Sequence, residues 1–92
     1  MKELLPIGTV LTLKNGSKKV MITGRIQREK KTKKVFDYAA CLWPEGMLDS
    51  SHFYLFNHED VDILYHIGYQ ALEEFQFRSV LEEEIKKLEE DH

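Results

Sequence analysis

Every glycine and proline in this chain falls at or before Gly68, and that segregation limits the possible folds more than any other feature. Pro6, Gly8, Gly16, Gly24, Pro44, Gly46 and Gly68 cut the first part into short segments, which suits strands joined by tight turns. After Gly68 no breaker interrupts the chain, and Glu, Leu and Lys dominate. There the favoured structure is one long helix.

The short segments carry β patterns. Thr9 to Leu13 alternates, with Val10 and Thr12 on one face and Thr9, Leu11 and Leu13 on the other. Asn15-Gly16 follows, a hairpin signal because both residues accept φ > 0. Val20 to Ile26 is a second β-rich run, with Gly24 marking a bulge or bend. The hydrophilic turn QREKKTKK covers Gln27 to Lys34, and Val35 to Trp43 reads as a third strand ended by the Pro44-Glu45-Gly46 turn. His52 to Phe56 is a short fourth strand.

Phe56 to Ile67 admits two readings. As a helix, Val61, Leu64, Tyr65 and Gly68 line up. As a strand, Val61, Ile63, Tyr65 and Ile67 share one face and Asp60, Asp62, Leu64 and His66 the other. The strict alternation and the β-branched content favour a core strand preceded by a single helical turn at Asn57 to Asp60. In that turn the Asn57 side chain is expected to act as N-cap, with Asp60 meeting free backbone N–H groups.

From about Ala71 to Glu89 an amphipathic helix is expected, with Phe77, Leu81, Ile85 and Leu88 on its apolar face and Val80 beside them. Glu82–Lys86 and Glu83–Lys87 are favourable i,i+4 pairs. Glu89, Glu90 and Asp91 oppose the helix dipole, so the last turn is expected to fray. The fold class is therefore α+β. A small antiparallel SH3-like partly open β-barrel of about five strands occupies residues 1–69, a C-terminal amphipathic α-helix residues 70–92, and the 92 residues form a single domain.

Composition narrows the function classes. A hydrophobic fraction of 42% and an aromatic fraction of 11% belong to a folded chain. The single cysteine, Cys41, allows neither an internal disulfide nor a cysteine-based zinc cage, which favours a reducing, cytoplasmic compartment. The apolar N-terminus is interrupted by Pro6 and Gly8 and is too short and polar for a secretory or membrane segment. Net charge is −3, yet Lys14 to Lys34 holds nine Lys or Arg against one acid, whereas Asn57 to His92 holds eleven acids against three Lys or Arg. Such asymmetry can steer partners.

Candidate chemistry is sparse. His58, Glu59, Asp60 and Asp62, with His52 and His66 nearby, are possible metal ligands, and a metal-dependent hydrolase centred on His58, Asp60 and Asp62 is one reading. Same-face strand residues lie about 6.6 Å apart, however, which makes a ladder of exposed groups and not a cage. Cys41 sits mid-strand, where free cysteine behaves as a small buried hydrophobe. The basic loop 25–34, with Phe36 and Tyr38 after it, is the feature a small nucleic-acid-binding barrel would use. Trp43, Phe53, Tyr54 and Phe56 bracket the Pro-Glu-Gly turn and suit either core or interface.

Several spaced motifs point to a family. Leu4-Leu5-Pro6-Ile7-Gly8-Thr9-Val10, Met21-Ile22-Thr23-Gly24-Arg25, Asp37-Tyr38 leading to Cys41-Leu42-Trp43-Pro44-Glu45-Gly46, then Phe56-Asn57-His58-Glu59-Asp60-Val61-Asp62 and Gly68-Tyr69 occur in order along nearly the whole chain. Together they resemble a small family of Gram-positive bacteria, domain of unknown function 4176, with Trp43 standing where that family usually has tyrosine. The resemblance implies a context: members are encoded beside LXG-type toxins and the type VII secretion machinery, and are thought to act as cytoplasmic chaperones or targeting factors. It brings no catalytic residues. The expectation is a non-enzymatic protein-binding module without cofactor or metal, whose partner is a secreted toxin with a helical LXG region. Trp43, Phe53, Tyr54, His58, Glu59, Phe77, Leu81 and Ile85 are the candidate partner-binding residues. The C-terminal helix is also a candidate for pairing with a second copy.

Overall fold

The computed structural model describes residues 3–90. Its elements run β1 (Val10–Leu13), β2 (Val20–Arg28), β3 (Val35–Leu42), β4 (Tyr54–Phe56), a single 3-10 turn (His58–Asp60), β5 (Val61–His66) and α1 (Leu72–Glu90). The strands form one antiparallel sheet in the order β4-β3-β2-β1-β5, in which the last strand returns beside the first. The sheet stays open, with β4 and β5 as its edges. The alternating run 61–66 is a strand, preceded by the helical turn. Its pairing with β1 is irregular at two points, between Val10 and Leu11 and between Thr12 and Leu13.

The turns show which residues bear the unusual backbone. Asn15 takes φ 68°, and Gly16 N–H donates to the Leu13 carbonyl at 2.9 Å. Of the Asn-Gly pair only the asparagine enters the left-handed region, so the loop to β2 is wider than a two-residue hairpin. The expected bulge is present, as a register shift between Ile22 and Gly24. The β2–β3 ladder reaches Arg28 opposite Val35, which shortens the basic turn to its tip.

Leu4, Leu11, Val20, Ile22, Tyr38, Ala40 and Phe56 form the core, with Leu5, Leu13, Ile26, Leu42, Val61, Leu81 and Ile85 packed around it. The helix therefore packs on its own sheet. Leu81 and Ile85, expected as partner-binding residues, face that core, which removes the apolar stripe of α1 from pairing in trans. Burying two such side chains in cis is worth roughly 1–2 kcal/mol each, and an exposed stripe would forfeit it. Only Val61 of β5 joins the core; Asp62 to Ile67 are exposed. The expected core strand is an edge strand: it stands last in the sheet order and pairs with β1 on one side.

Gly68 fixes the path from β5 into α1. A Cβ placed there would lie 1.9 Å from the Ile7 carbonyl oxygen, so only glycine lets the two backbone segments cross. Gly68 N–H donates to Thr9 Oγ1 at 3.1 Å, and that hydroxyl donates to the Pro6 carbonyl at 2.8 Å. The helix continues through Glu90 against its unfavourable dipole; Asp91, the last acid of the expected fraying turn, lies outside the described residues. The ion pairs on its outer face are Lys86–Glu83 at 4.0 Å and Lys87–Glu84 at 3.7 Å, spaced i,i+3 and not i,i+4 as anticipated.

Candidate functional site

The polar turn after β4 is wired into the sheet. Asn57 Oδ1 accepts the Asp37 backbone N–H at 3.1 Å, so its side chain reaches across to β3. Asp60 Oδ2 accepts Asn57 N–H at 2.9 Å, the reciprocal half of a capping box. Asp37 Oδ2 accepts His58 N–H at 2.9 Å, and His58 Nδ1 lies 2.6 Å from the Tyr38 hydroxyl. That hydroxyl also accepts Leu5 N–H at 2.9 Å. Burial pushes the Tyr38 phenol up to about 12, which keeps it neutral. His58 and Asp60 thus serve the junction between β3, the helical turn and the N-terminal segment. Among the described residues no three or more His, Cys, Asp or Glu side chains are placed to hold a metal ion.

A second polar cluster, which the sequence pattern did not signal, pins the helix. Arg25 on β2 donates to Glu74 through both terminal nitrogens, at 2.5 and 2.7 Å. Arg78, one turn further along α1, donates to the same carboxylate at 2.9 and 3.2 Å, to Glu3 at 2.9 Å and to Gln70 at 2.8 Å. The Arg25 and Glu74 side chains are 3% and 13% exposed, so the pair is screened from water. Hydrogen bonds from Arg25, and then from Arg78, hold the Glu74 carboxyl below the usual glutamate range. The inward stripe of α1 is thus Glu74, Arg78, Leu81, Ile85 and Leu88: ionic in its first turns, apolar afterwards. Arg25 belongs to this clamp and not to the basic loop, so the cationic residues at the hairpin tip are Arg28, Lys30, Lys31, Lys33 and Lys34.

The remaining candidate residues fall into two exposed groups. Trp43, Phe53 and Tyr54 are partly exposed at one end of β3 and β4, beside exposed Met47 and Leu48 in the intervening loop. Phe77 lies on α1 with Arg25 stacked 5.7 Å from its ring centre. Glu59 is on the surface and His58 is half-buried. The sequence pattern missed three exposed apolar residues at the start of α1 and just before it: Tyr69 at 87%, Leu72 at 71% and Phe75 at 49%. A signal was there. At about 100° per residue, Leu72 falls roughly 160° from the middle of the buried stripe, far outside any face that packs at home. Cys41, at 2% exposure, is buried.

These features sit inside a recognised family. The model for a domain of unknown function, DUF4176, matches residues 4–77. The chain belongs to the DUF4176 family. The matched span holds the whole sheet, the polar turn, Gly68, Tyr69 and the start of α1 with Leu72, Glu74 and Phe75. Comparison with curated proteins and with solved structures finds no match. No helix among the described residues is long and apolar enough to cross a membrane.

Proposed function

We propose that this DUF4176 protein is a non-enzymatic protein-binding module, a cytoplasmic chaperone or targeting factor for an LXG-type toxin of the type VII secretion system. The observation that carries the reading is the apolar surface of Tyr69, just before α1, and of Leu72 and Phe75 on its first turns, which the Arg25–Glu74–Arg78 cluster anchors to the sheet. Large apolar side chains grouped on a rigid element are the usual anchors of protein interfaces. An amphipathic helix of the toxin would lay its apolar side against this group, with Phe77 at its margin. Trp43, Phe53 and Tyr54 offer a second contact at the far end of β3 and β4. The resemblance to secretion-associated proteins supplies the class of partner.

The test is co-expression with the LXG protein of the same locus, followed by co-purification and measurement of toxin export. Complex formation is expected, with an affinity at least about tenfold weaker when Leu72 and Phe75 are both changed to serine. A toxin that never co-purifies, and is exported equally well without this protein, refutes the proposal. Binding of nucleic acid through the hairpin tip is the competing reading. It predicts retention on filters that falls steeply with salt and is lost in Lys30→Glu/Lys31→Glu.

A further inference from the structure

A cavity of about 360 Å³ opens where the N-terminal segment, the helical turn and the start of α1 meet. Leu5, Pro6 and Ile67 line it with hydrocarbon, and Glu3, His58, Gln70 and Arg78 bring polar groups to it. Small-ligand sites share this make-up: a volume of roughly 300–1,000 Å³, mostly apolar walls and a few convergent polar groups.

Apart from Glu3, those polar side chains present hydrogen-bond donors. Arg78 is held in place by Glu74 and Gln70 and by the Phe75 ring, whose centre lies 5.2 Å from the guanidinium carbon. Gln70 accepts from Arg78 Nη2 with its side-chain oxygen, which leaves its amide –NH2 to donate. The Tyr38 hydroxyl accepts Leu5 N–H, so its own hydrogen goes to His58 Nδ1 and the His58 ring hydrogen sits on Nε2. The charge balance also favours an anion. Arg25 and Arg78, with side chains 3% and 6% exposed, share the one carboxylate of Glu74. Among the described residues the second counter-charge at Arg78 is Glu3, which accepts from Nη1 at 2.9 Å and has a side chain 77% exposed. An ion pair so open to water is weak, so Glu3 is readily displaced.

We propose that this cavity binds a small monocarboxylate with a short apolar body. The ligand carboxylate takes the place of Glu3 at Arg78, and its hydrocarbon lies against Leu5, Pro6 and Ile67. The planar guanidinium edge matches a carboxylate in shape. One negative charge balances the one surplus cation, whereas inorganic phosphate near neutral pH carries more charge than the cluster offsets. Tyr69, Leu72 and Phe75 do not line the cavity, so the inference stands apart from the protein-binding role.

Titration of the isotope-labelled full chain with sodium isovalerate, followed by two-dimensional NMR, tests the proposal. Saturable shifts are expected at Leu5, Gln70 and Arg78, with a dissociation constant of about 1 mM or tighter. Isovaleramide, which keeps the shape without the charge, and inorganic phosphate should each bind at least about tenfold more weakly. Glu3→Gln removes the internal competitor and should tighten isovalerate binding about two- to fivefold. Ile67→Glu puts a carboxylate on the apolar wall and should weaken it at least about tenfold. Both positions are exposed, so both variants should keep wild-type spectra away from the cavity. Absence of saturable shifts in wild type and Glu3→Gln alike overturns the proposal. So does isovaleramide or phosphate that binds as tightly as isovalerate, a Glu3→Gln variant that binds no better, or an Ile67→Glu variant that binds equally well.

Discussion

Changing Glu74 to glutamine tests whether an ionic cluster, and not apolar packing, holds the first turns of α1. The substitution keeps size and one acceptor but removes the charge facing Arg25 and Arg78. Arg78 retains Gln70, the exposed Glu3 and its stacking on Phe75, whereas Arg25 loses its one counter-charge and, beyond the glutamine oxygen, keeps a 3.4 Å contact to the Leu5 carbonyl and its stacking on Phe77. Arg25 Nε already has no hydrogen-bond partner among the described residues. Removing one partner of a buried pair costs about 3–5 kcal/mol, because the remaining charge stays buried without compensation. The half-buried Leu81, Ile85 and Leu88 contribute roughly 1–2 kcal/mol each and are untouched. The later turns should therefore stay docked while the first turns loosen. Urea denaturation should show a loss of about 3 kcal/mol, and hydrogen exchange should accelerate selectively over the first turns of α1.

The pH dependence has a fixed sign. Glu74 is held below its ordinary value in the folded state, so between the two values the unfolded chain binds more protons. Its contribution is present above the unfolded value of about 4.3 and disappears as pH falls through the folded value. The variant should lack that portion of the acid transition. A glutamine variant within about 1 kcal/mol of wild type, with unchanged exchange over those turns, would refute the reasoning and leave the apolar stripe as sufficient.

Two further substitutions probe the remaining junctions. Gly68→Ala drives a methyl group into the Ile7 carbonyl, so the two backbone segments must separate; a loss of at least about 3 kcal/mol is expected, and a melting temperature within a few degrees of wild type contradicts it. Tyr38→Phe leaves Leu5 N–H and His58 Nδ1 without their hydroxyl, costing about 1–3 kcal/mol in chemical denaturation. In the wild-type protein the raised phenol predicts that stability is fully present below pH 10.0 and lost as pH rises through about 12. Ultraviolet titration should find one of the four tyrosines ionising last, and ionisation of all four together near pH 10.0 would contradict the burial argument.

The sheet-then-helix plan, the turn positions and the strand character of 61–66 were legible in the amino-acid order alone. Those depend on local physics: breakers end elements, and side-chain period selects between strand and helix. Asn57 and Asp60 were also legible as turn residues, although not that Asn57 would spend its side-chain oxygen on Asp37 across the sheet. Which faces are covered emerged only from the folded chain. An alternating strand reads the same at the centre of a sheet and at its edge, so β5 resembled a core strand until the sheet order placed it last. Arg25 resembled one more cation of a basic loop, and Glu74 one more acid of a solvated helix, because a charge carries no local mark of the partner it meets 49 residues away. Pairing at that distance depends on how the chain folds back on itself. The same fold-back that packed Leu81 and Ile85 against the core left Leu72, Phe75 and the β5 edge facing solvent.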